Sequence, residues 1–376
     1  MNKNITVIGI GKLGLSFSLI LEKEGYSVVG MDIDETYIQK INNKTLFSPE
    51  PKVQEHLISS ENFVATTEIK TGLEHSDVLF LFVATPSLNN GRYDHSQIDR
   101  VVSQLITNNN TTKEKHLIIG CTTMPGFCQE AQKKLQDHGF IVSYNPEFIA
   151  QGSVMNDLVN PDIILIGEGN QSAGDEIENI YSTFLQNRPS IHRMTPKEAE
   201  ITKIALNCFL TTKIAYANMV GDIAKSAGCN PDIILNAVGS DSRIGNKYLK
   251  YGYGFGGPCF PRDNRAFGLF AGDLGLDAPI SHASDKSNRQ HLDNQIKIFT
   301  NIHSRNEPVH LINVAYKPGT TIIDESQQLA FAVRIAREGY HVTIEDNEDV
   351  ITQVENLHGE LFDYVIIKNR KADQTV

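Results

Sequence analysis

The strongest constraint in this chain lies in its first 35 residues. Ile5–Ile8 is a short β-rich apolar run that meets Gly9-Ile10-Gly11-Lys12-Leu13-Gly14, a G-x-G-x-x-G. Leu15–Lys23 then reads as a helix with Leu15, Phe17, Leu19, Ile20 and Leu21 supplying apolar surface, and Gly25 stops it. Ser27–Met31 reads as a second strand, followed by Asp32. This is a βαβ unit with its acidic residue about 20 positions after the glycines, the pattern of dinucleotide binding. Gly9 allows the tight turn, Gly11 lets backbone N–H groups approach a pyrophosphate, and Gly14 lets helix and strand pack closely. Lys12 and Leu13, within the glycine motif, are candidate cofactor contacts, and the helix N-terminus offers unpaired N–H donors to the phosphates. Asp32 accepts from a ribose 2′-hydroxyl and repels a 2′-phosphate, which favours NAD over NADP.

Further β/α alternation follows. Val78–Val83, Leu117–Gly120 and Ile141–Ser143 read as strands ending at Ala84-Thr85-Pro86, Cys121-Thr122-Thr123 and Tyr144-Asn145-Pro146-Glu147. Ligands of an open parallel sheet sit at the carboxyl ends of its strands, so Thr85, Pro86, Thr123 and Glu147 are candidate site residues. From Pro196 to about Ala227, helical periodicity over Ile201, Ile204, Ala205, Cys208, Phe209, Thr212, Ala215 and Met219 predicts one long helix, a spine between lobes or a dimer core. A second helix is expected after Asn230-Pro231. Near the C-terminus, strands at Val309–Val314 and His341–Glu345 flank a helix over Gln327–Glu338, and Val365–Lys368 reads as a last strand before a loose tail. The expected fold class is α/β, two Rossmann-like doubly wound domains joined by a long central helix. Residues 1–190 are expected to form the NAD-binding domain, 191–300 a helical dimerisation and catalytic segment, and 301–376 a short C-terminal domain.

The net charge is −11, with no basic field to hold a polyanion, so neither nucleic acid nor an anionic membrane is an expected partner. The chain shows no secretion signal or spanning run, and its expected location is the cytoplasm. Five cysteines without a CxxC pair argue against a disulfide framework or a structural zinc site, and no metal is expected. One of them is placed differently from the rest. In Gly254-Phe255-Gly256-Gly257-Pro258-Cys259-Phe260-Pro261-Arg262-Asp263, Cys259 follows glycines that allow close backbone approach. Pro261 suits the first turn of a helix, so Cys259 is expected at a helix N-terminus, where a thiolate is favoured, with Asp263 about one turn away.

These motifs, in this order, resemble the UDP-glucose/GDP-mannose dehydrogenase family of NAD-dependent, four-electron nucleotide-sugar 6-dehydrogenases. The resemblance covers nearly the whole chain and also rests on Thr122-Thr123-Met124-Pro125, Asn145-Pro146-Glu147-Phe148, Lys203-x-x-x-Asn207 and Ala315-Tyr316-Lys317. It implies that Cys259 attacks a sugar C6 aldehyde to give a thiohemiacetal, which is oxidised to a thioester and hydrolysed. It implies that Lys203 and Asn207, on one helix face, stabilise the oxyanion, and that Glu147, Asp263 and Thr123 move protons or place water; Thr123 also belongs to the cofactor site. Arg243, Asn246, Tyr248, Lys250, Gly256, Phe148 and Lys317 match substrate positions, and Arg243 implies a homodimer by reaching across its interface. The pattern around Arg243 and Cys259 is closest to UDP-glucose enzymes. GDP-mannose and UDP-N-acetylhexosamine oxidation, a two-electron hydroxyacid dehydrogenase and an impaired nucleotide-sugar binder are the alternatives. Two departures stand out: Gln151 occupies the place of a second glutamate, and Asp324 the place of an arginine that contacts NAD in the family.

Overall fold

A computed structural model of the chain describes residues 3–111, 113–149 and 152–367. Gln151 and the expected tail 369–376 lie outside the described residues. The chain divides into two compact units, Met1–Ile204 and Ala205–Val376, and the division falls inside one helix.

The first unit is built on an eight-stranded sheet: β1 (Asn4–Ile8), β2 (Ser27–Met31), β3 (Phe63–Thr66), β4 (Val78–Leu81), β5 (Lys115–Ile119), β6 (Phe140–Tyr144), β7 (Ile163–Gly167) and β8 (Ser190–Met194). The strand order is β3-β2-β1-β4-β5-β6-β7-β8. All pairs are parallel except β6 with β7, which meet antiparallel at Tyr144 and Gly167. The first six strands follow the doubly wound order of a dinucleotide fold, with its switch point between β1 and β4. The helices are α1 (Lys12–Lys23), α2 (Glu35–Asn42), α3 (Val53–Ser59), α4 (Ile69–His75), α5 (Ser96–Asn108), α6 (Phe127–Leu135), α7 (Val154–Val159), α8 (Gln171–Ser182) and the first turns of α9 (Pro196–Ser226). One apolar core gathers Val7, Leu15, Phe17, Phe80 and Tyr181, and a second gathers Leu79, Leu117, Ile119 and Phe127.

The second unit takes the rest of α9, then α10 (Pro231–Gly239), α11 (Phe260–Asp273), α12 (Pro279–Ile302) and a parallel sheet, in the order β11-β10-β9. Its strands are β9 (Val309–Ile312), β10 (Val342–Asp346) and β11 (Asp363–Ile366), linked through α13 (Gln327–Arg337) and α14 (Glu348–His358). A third apolar core lies here, with Val342, Ile344, Leu329 and Ile335 at its centre. Among the described residues, no helix is long and apolar enough to cross a membrane.

The first helix starts at Lys12 rather than Leu15, because Gly11 is its N-cap and the glycine motif itself forms the first turn. Two glycines of that motif face different surroundings. A Cβ on Gly14 would lie 2.1 Å from the Gly9 carbonyl oxygen, whereas one on Gly11 would meet nothing within 4 Å. Gly14→Ala is therefore expected to cost about 1–3 kcal/mol of stability by overpacking. Gly11→Ala should leave thermal unfolding nearly unchanged and weaken NAD binding. Parallel melting and NAD titrations of the two variants check this.

Candidate active site

In the first unit, the chain turns sharply at the end of β1. Gly9 N–H donates to the Met31 carbonyl at 2.8 Å, and Gly9 has φ +85°, a conformation that favours glycine. A Cβ there would also lie 2.7 Å from the Phe82 carbonyl oxygen. Gly11 caps α1 without a side chain, and Lys12 beside it is exposed while Leu13 is half-buried. The open side of Gly11, the helix N-terminus and the position of Asp32 beyond β2 fit a dinucleotide. Asp32 Oδ1 accepts from Ile33 N–H at 2.8 Å and Asp34 N–H at 3.4 Å, which fixes the carboxylate in its loop. Tyr37, which the motif reading did not single out, donates to the Ile10 carbonyl at 2.9 Å; burial, then the Asp32 charge, pushes its hydroxyl up to about 12.

Thr85 is buried and donates to the Thr122 carbonyl at 2.8 Å, tying the loops after β4 and β5 together, while Pro86 is exposed. Thr123 is fully buried, and its hydroxyl donates to Glu200 Oε1 at 2.9 Å. Glu200 also accepts from Gly126 N–H at 2.5 Å and Cys128 N–H at 2.9 Å, so one carboxylate on α9 gathers the Thr123 loop and the start of α6. Desolvation raises its carboxyl above the usual range in spite of those donors. No local motif marks Glu200, because a glutamate in the first turns of a helix ordinarily faces water.

Glu147 follows β6. Its carboxyl accepts a hydrogen bond from the Tyr181 hydroxyl on α8, and its backbone carbonyl accepts from Lys203 Nζ at 2.6 Å. Lys203 is 7% exposed, and its ammonium stands 4.2 Å from the centroid of the Phe148 ring. Glu147 is only partly buried as a residue, yet desolvation of its carboxyl outweighs the Tyr181 donor and the Lys203 charge and brings it up to about 7. A carboxyl poised there can both accept and return a proton near neutral pH.

In the second unit, Cys259 is the N-cap of α11 and is exposed; its side chain makes no capping bond to the first turn. Asp263, one turn along, is fully buried. It accepts from Asn207 Nδ2 at 2.6 Å and from Arg262 Nε at 2.8 Å. The structure therefore brings Asn207 and Asp263 into contact on the helix that Cys259 begins. The preceding glycines are packed from behind. Gly257 has φ +80°, donates to the Asp324 carbonyl at 2.9 Å, and would drive a Cβ into the Tyr316 ring; a Cβ on Gly256 would lie 2.3 Å from the Glu325 carbonyl oxygen. Asp324, which replaces the expected arginine, thus acts here through its backbone. Its neighbour Glu325 pairs with Arg265 of α11 at 2.5 Å.

The remaining substrate candidates are more dispersed. Arg243 is 86% exposed and bonded to Asp241 at 2.7 Å. Asn246 and Lys250 are exposed, and Tyr248, with φ +62°, sets its ring 6.2 Å from that of Phe260. Lys317 is exposed on the loop after β9, where its carbonyl accepts from Thr320 at 2.9 Å.

A doubly wound sheet with this glycine turn and this acidic residue is the dinucleotide-binding part of an α/β enzyme. Comparison with known proteins agrees. Residues 3–185 match the UDP-glucose/GDP-mannose dehydrogenase family, NAD binding domain, and residues 197–290 match the central domain of the same family. A UDP-glucose 6-dehydrogenase of Rickettsia conorii is 31% identical over 351 residues, 90% of this chain and 79% of the relative. A GDP-mannose 6-dehydrogenase of Pseudomonas syringae is 28% identical over 96% of this chain and 84% of the relative. The solved structure of a UDP-glucose dehydrogenase from Pyrobaculum islandicum superposes with a TM-score of 0.88 at 28% identity, covering 96% of this chain and 85% of that one. The chain belongs to the UDP-glucose/GDP-mannose dehydrogenase family, and it is an NAD-binding oxidoreductase.

Asp32→Ala removes the acceptor for a ribose hydroxyl. It is expected to weaken NAD binding by about 1.5–3 kcal/mol, roughly tenfold or more. Calorimetric titration of NAD into both proteins measures the difference.

Proposed function

We propose that the protein is an NAD-dependent nucleotide-sugar 6-dehydrogenase that oxidises UDP-glucose to UDP-glucuronate through a covalent intermediate on Cys259. The observation that carries this reading is the exposed Cys259 thiol at the N-cap of α11, one turn from a buried Asp263 that holds Asn207. When bound, NAD supplies the hydride acceptor for both oxidations. Cys259 adds to C6 of the aldehyde to form the thiohemiacetal, and its sulfur carries the acyl group as a thioester after the second oxidation. Water then displaces the thiolate and the carboxylate leaves. Lys203 and Asn207, four residues apart and so on one face of α9, donate to the oxyanion of each tetrahedral stage. Glu147 takes the hydroxyl proton lost in each oxidation and the proton of the attacking water, passing each to solvent before the next step, while the Cys259 thiol proton moves to the thiohemiacetal oxygen. Asp263 keeps the Asn207 amide aimed, and Thr123 holds the loop beside the cofactor through Glu200.

Arg243, Lys250 and Lys317 are assigned to the diphosphate and sugar, with Asn246, Tyr248, Gly256 and Phe148 shaping the pocket. UDP-glucose is preferred because the Arg243-Ile-Gly-Asn246 and Cys259 patterns resemble those enzymes, and relatives named for both UDP-glucose and GDP-mannose keep the second sugar nucleotide as the alternative. A homodimer is supported by exposed apolar side chains at seven-residue spacing on α9, Phe209, Tyr216 and Ile223, with Phe209 at 65% and Ile223 at 62% exposure. The exposed Arg243 suits a role in the partner's pocket.

With UDP-glucose and NAD, about two NADH per sugar consumed are expected, together with an acid product. Cys259→Ser should lower acid formation by about a thousandfold or more. One NADH per sugar, or a fully active Cys259→Ser, would reject the covalent mechanism. Binding of the sugar nucleotide without any NADH would point to a binder. In the same preparation, Phe209→Asp is expected to halve the mass seen by light scattering with unchanged circular dichroism, and a parent protein that is already monomeric would reject the dimer.

A further inference from the structure

The aromatic groups beneath the cofactor crevice lead to a residue that neither the motifs nor the reaction above assigns. Tyr181 lies on α8, is 2% exposed, and is wedged among rings: its centroid is 5.0 Å from that of Phe184 and 6.2 Å from that of Phe17. Phe17 belongs to α1, the helix whose N-terminus carries the glycine motif, and it packs in turn against Phe80 and Phe82 at 4.7 and 5.3 Å. Packing against Phe184 and Phe17 holds the buried ring, and its hydroxyl donates to Glu147 Oε1. A buried phenol needs an acceptor, and a carboxylate in a poorly solvated loop gains from a fixed donor.

We propose that Tyr181 is a positioning residue for Glu147: its hydroxyl pins one carboxyl oxygen, Oε1, so that proton exchange with the reacting sugar takes place at the other, Oε2. This rests on the reading of Glu147 as the proton carrier. Two groups in this unit, and burial, act on the carboxyl's ionisation. Tyr181 from α8 donates to it and Lys203 from α9 contributes charge, both favouring the ionised form, while desolvation opposes them. Asn145, at the end of β6, faces the Tyr181 hydroxyl. Burial, and then the Glu147 charge, raise the Tyr181 hydroxyl well above its ordinary range, so the phenol keeps its proton and remains the donor throughout the working pH range. The proton that moves is thus carried by Glu147, and Tyr181 decides which oxygen carries it and at what pH.

Removing a donor from a carboxylate destabilises the ionised form, so Tyr181→Phe raises the pH at which Glu147 ionises. A stronger donor, 3-fluorotyrosine at position 181, lowers it. Two readouts separate the inference from its basis. The first is infrared titration of the cofactor-free protein, following the carboxyl band that is missing from Glu147→Gln, with the parent midpoint expected at about 7. Tyr181→Phe should move that midpoint up by about one pH unit and fluorotyrosine should move it down. The second is the acid limb of kcat/KM with UDP-glucose, which should shift in the same two directions.

Equal midpoints in all three proteins would overturn the positioning role. A uniform loss of rate across pH with a lower melting temperature and an unmoved midpoint would do the same, by showing that the ring merely packs. If Glu147→Gln keeps full activity at every pH, Glu147 is not the proton carrier. The failure then lies in that reading, whatever the infrared midpoints show. If Tyr181→Phe does not fold, the fluorotyrosine shift alone decides the question, since it leaves the shape of the ring nearly intact.

Discussion

Everything in the first unit depends on how closely α1 can approach β1. The Gly9 carbonyl oxygen occupies the space where a Cβ of Gly14 would stand, at 2.1 Å, and the Gly9 turn is itself pressed against the Phe82 backbone of the neighbouring strand. With both residues reduced to backbone, the N-terminus of α1 sits directly over the switch point of the sheet. Phe17 then reaches the ring cluster that fixes Tyr181, and the crevice that takes NAD opens beside Gly11. A side chain at position 9 or 14 would lift the helix, and each of these consequences would be lost with it.

The long helix α9 buries polar side chains that an ordinary helix would leave in water. Glu200, Lys203, Asn207, Thr211, Asn218 and Asp222 are buried, while Phe209, Tyr216, Met219 and Ile223 are exposed. Its inward face carries these polar groups because they bond to neighbouring segments: Glu200 to the Thr123 and Gly126 loop, Lys203 to Glu147, Asn207 to Asp263, Asn218 to Gly252 N–H and Asp222 to His291. Each is a buried polar group with partners, the condition under which such burial is tolerated. The helix organises those segments through these hydrogen bonds alongside the apolar packing of Ala199, Ile204, Ala217 and Ala224.

Much of this was legible in the sequence. Ser27–Met31 and the long helix from Pro196 appear where the pattern puts them, and Cys259 stands at the start of a helix because Pro261 suits a first turn. Local signals suffice where a turn residue or a continuous apolar run fixes the element. They fail elsewhere for identifiable reasons. β8 reads Ser190-Ile-His-Arg-Met194 and is largely exposed, so it carries no apolar run. α12 is polar along most of its length, because several of its buried residues, among them Ser281, Asn288 and His291, are hydrogen-bonded rather than apolar. The roles of Tyr181 and Glu200 depend on contacts with residues 34 and 77 positions away, respectively, which no local pattern encodes.

The division between the units inside α9 bears on how the protein comes apart. Helix formation is cooperative, and a helix torn at one point frays from that point. The turns up to Ile204 belong to one unit, where Glu200 and Lys203 bond to its loops, and those from Ala205 to the other, where Asn207, Asn218 and Asp222 bond to its neighbouring segments. In each unit the helical turns and the segments they bond are held by the same hydrogen bonds, so fraying of those turns releases the segments with them.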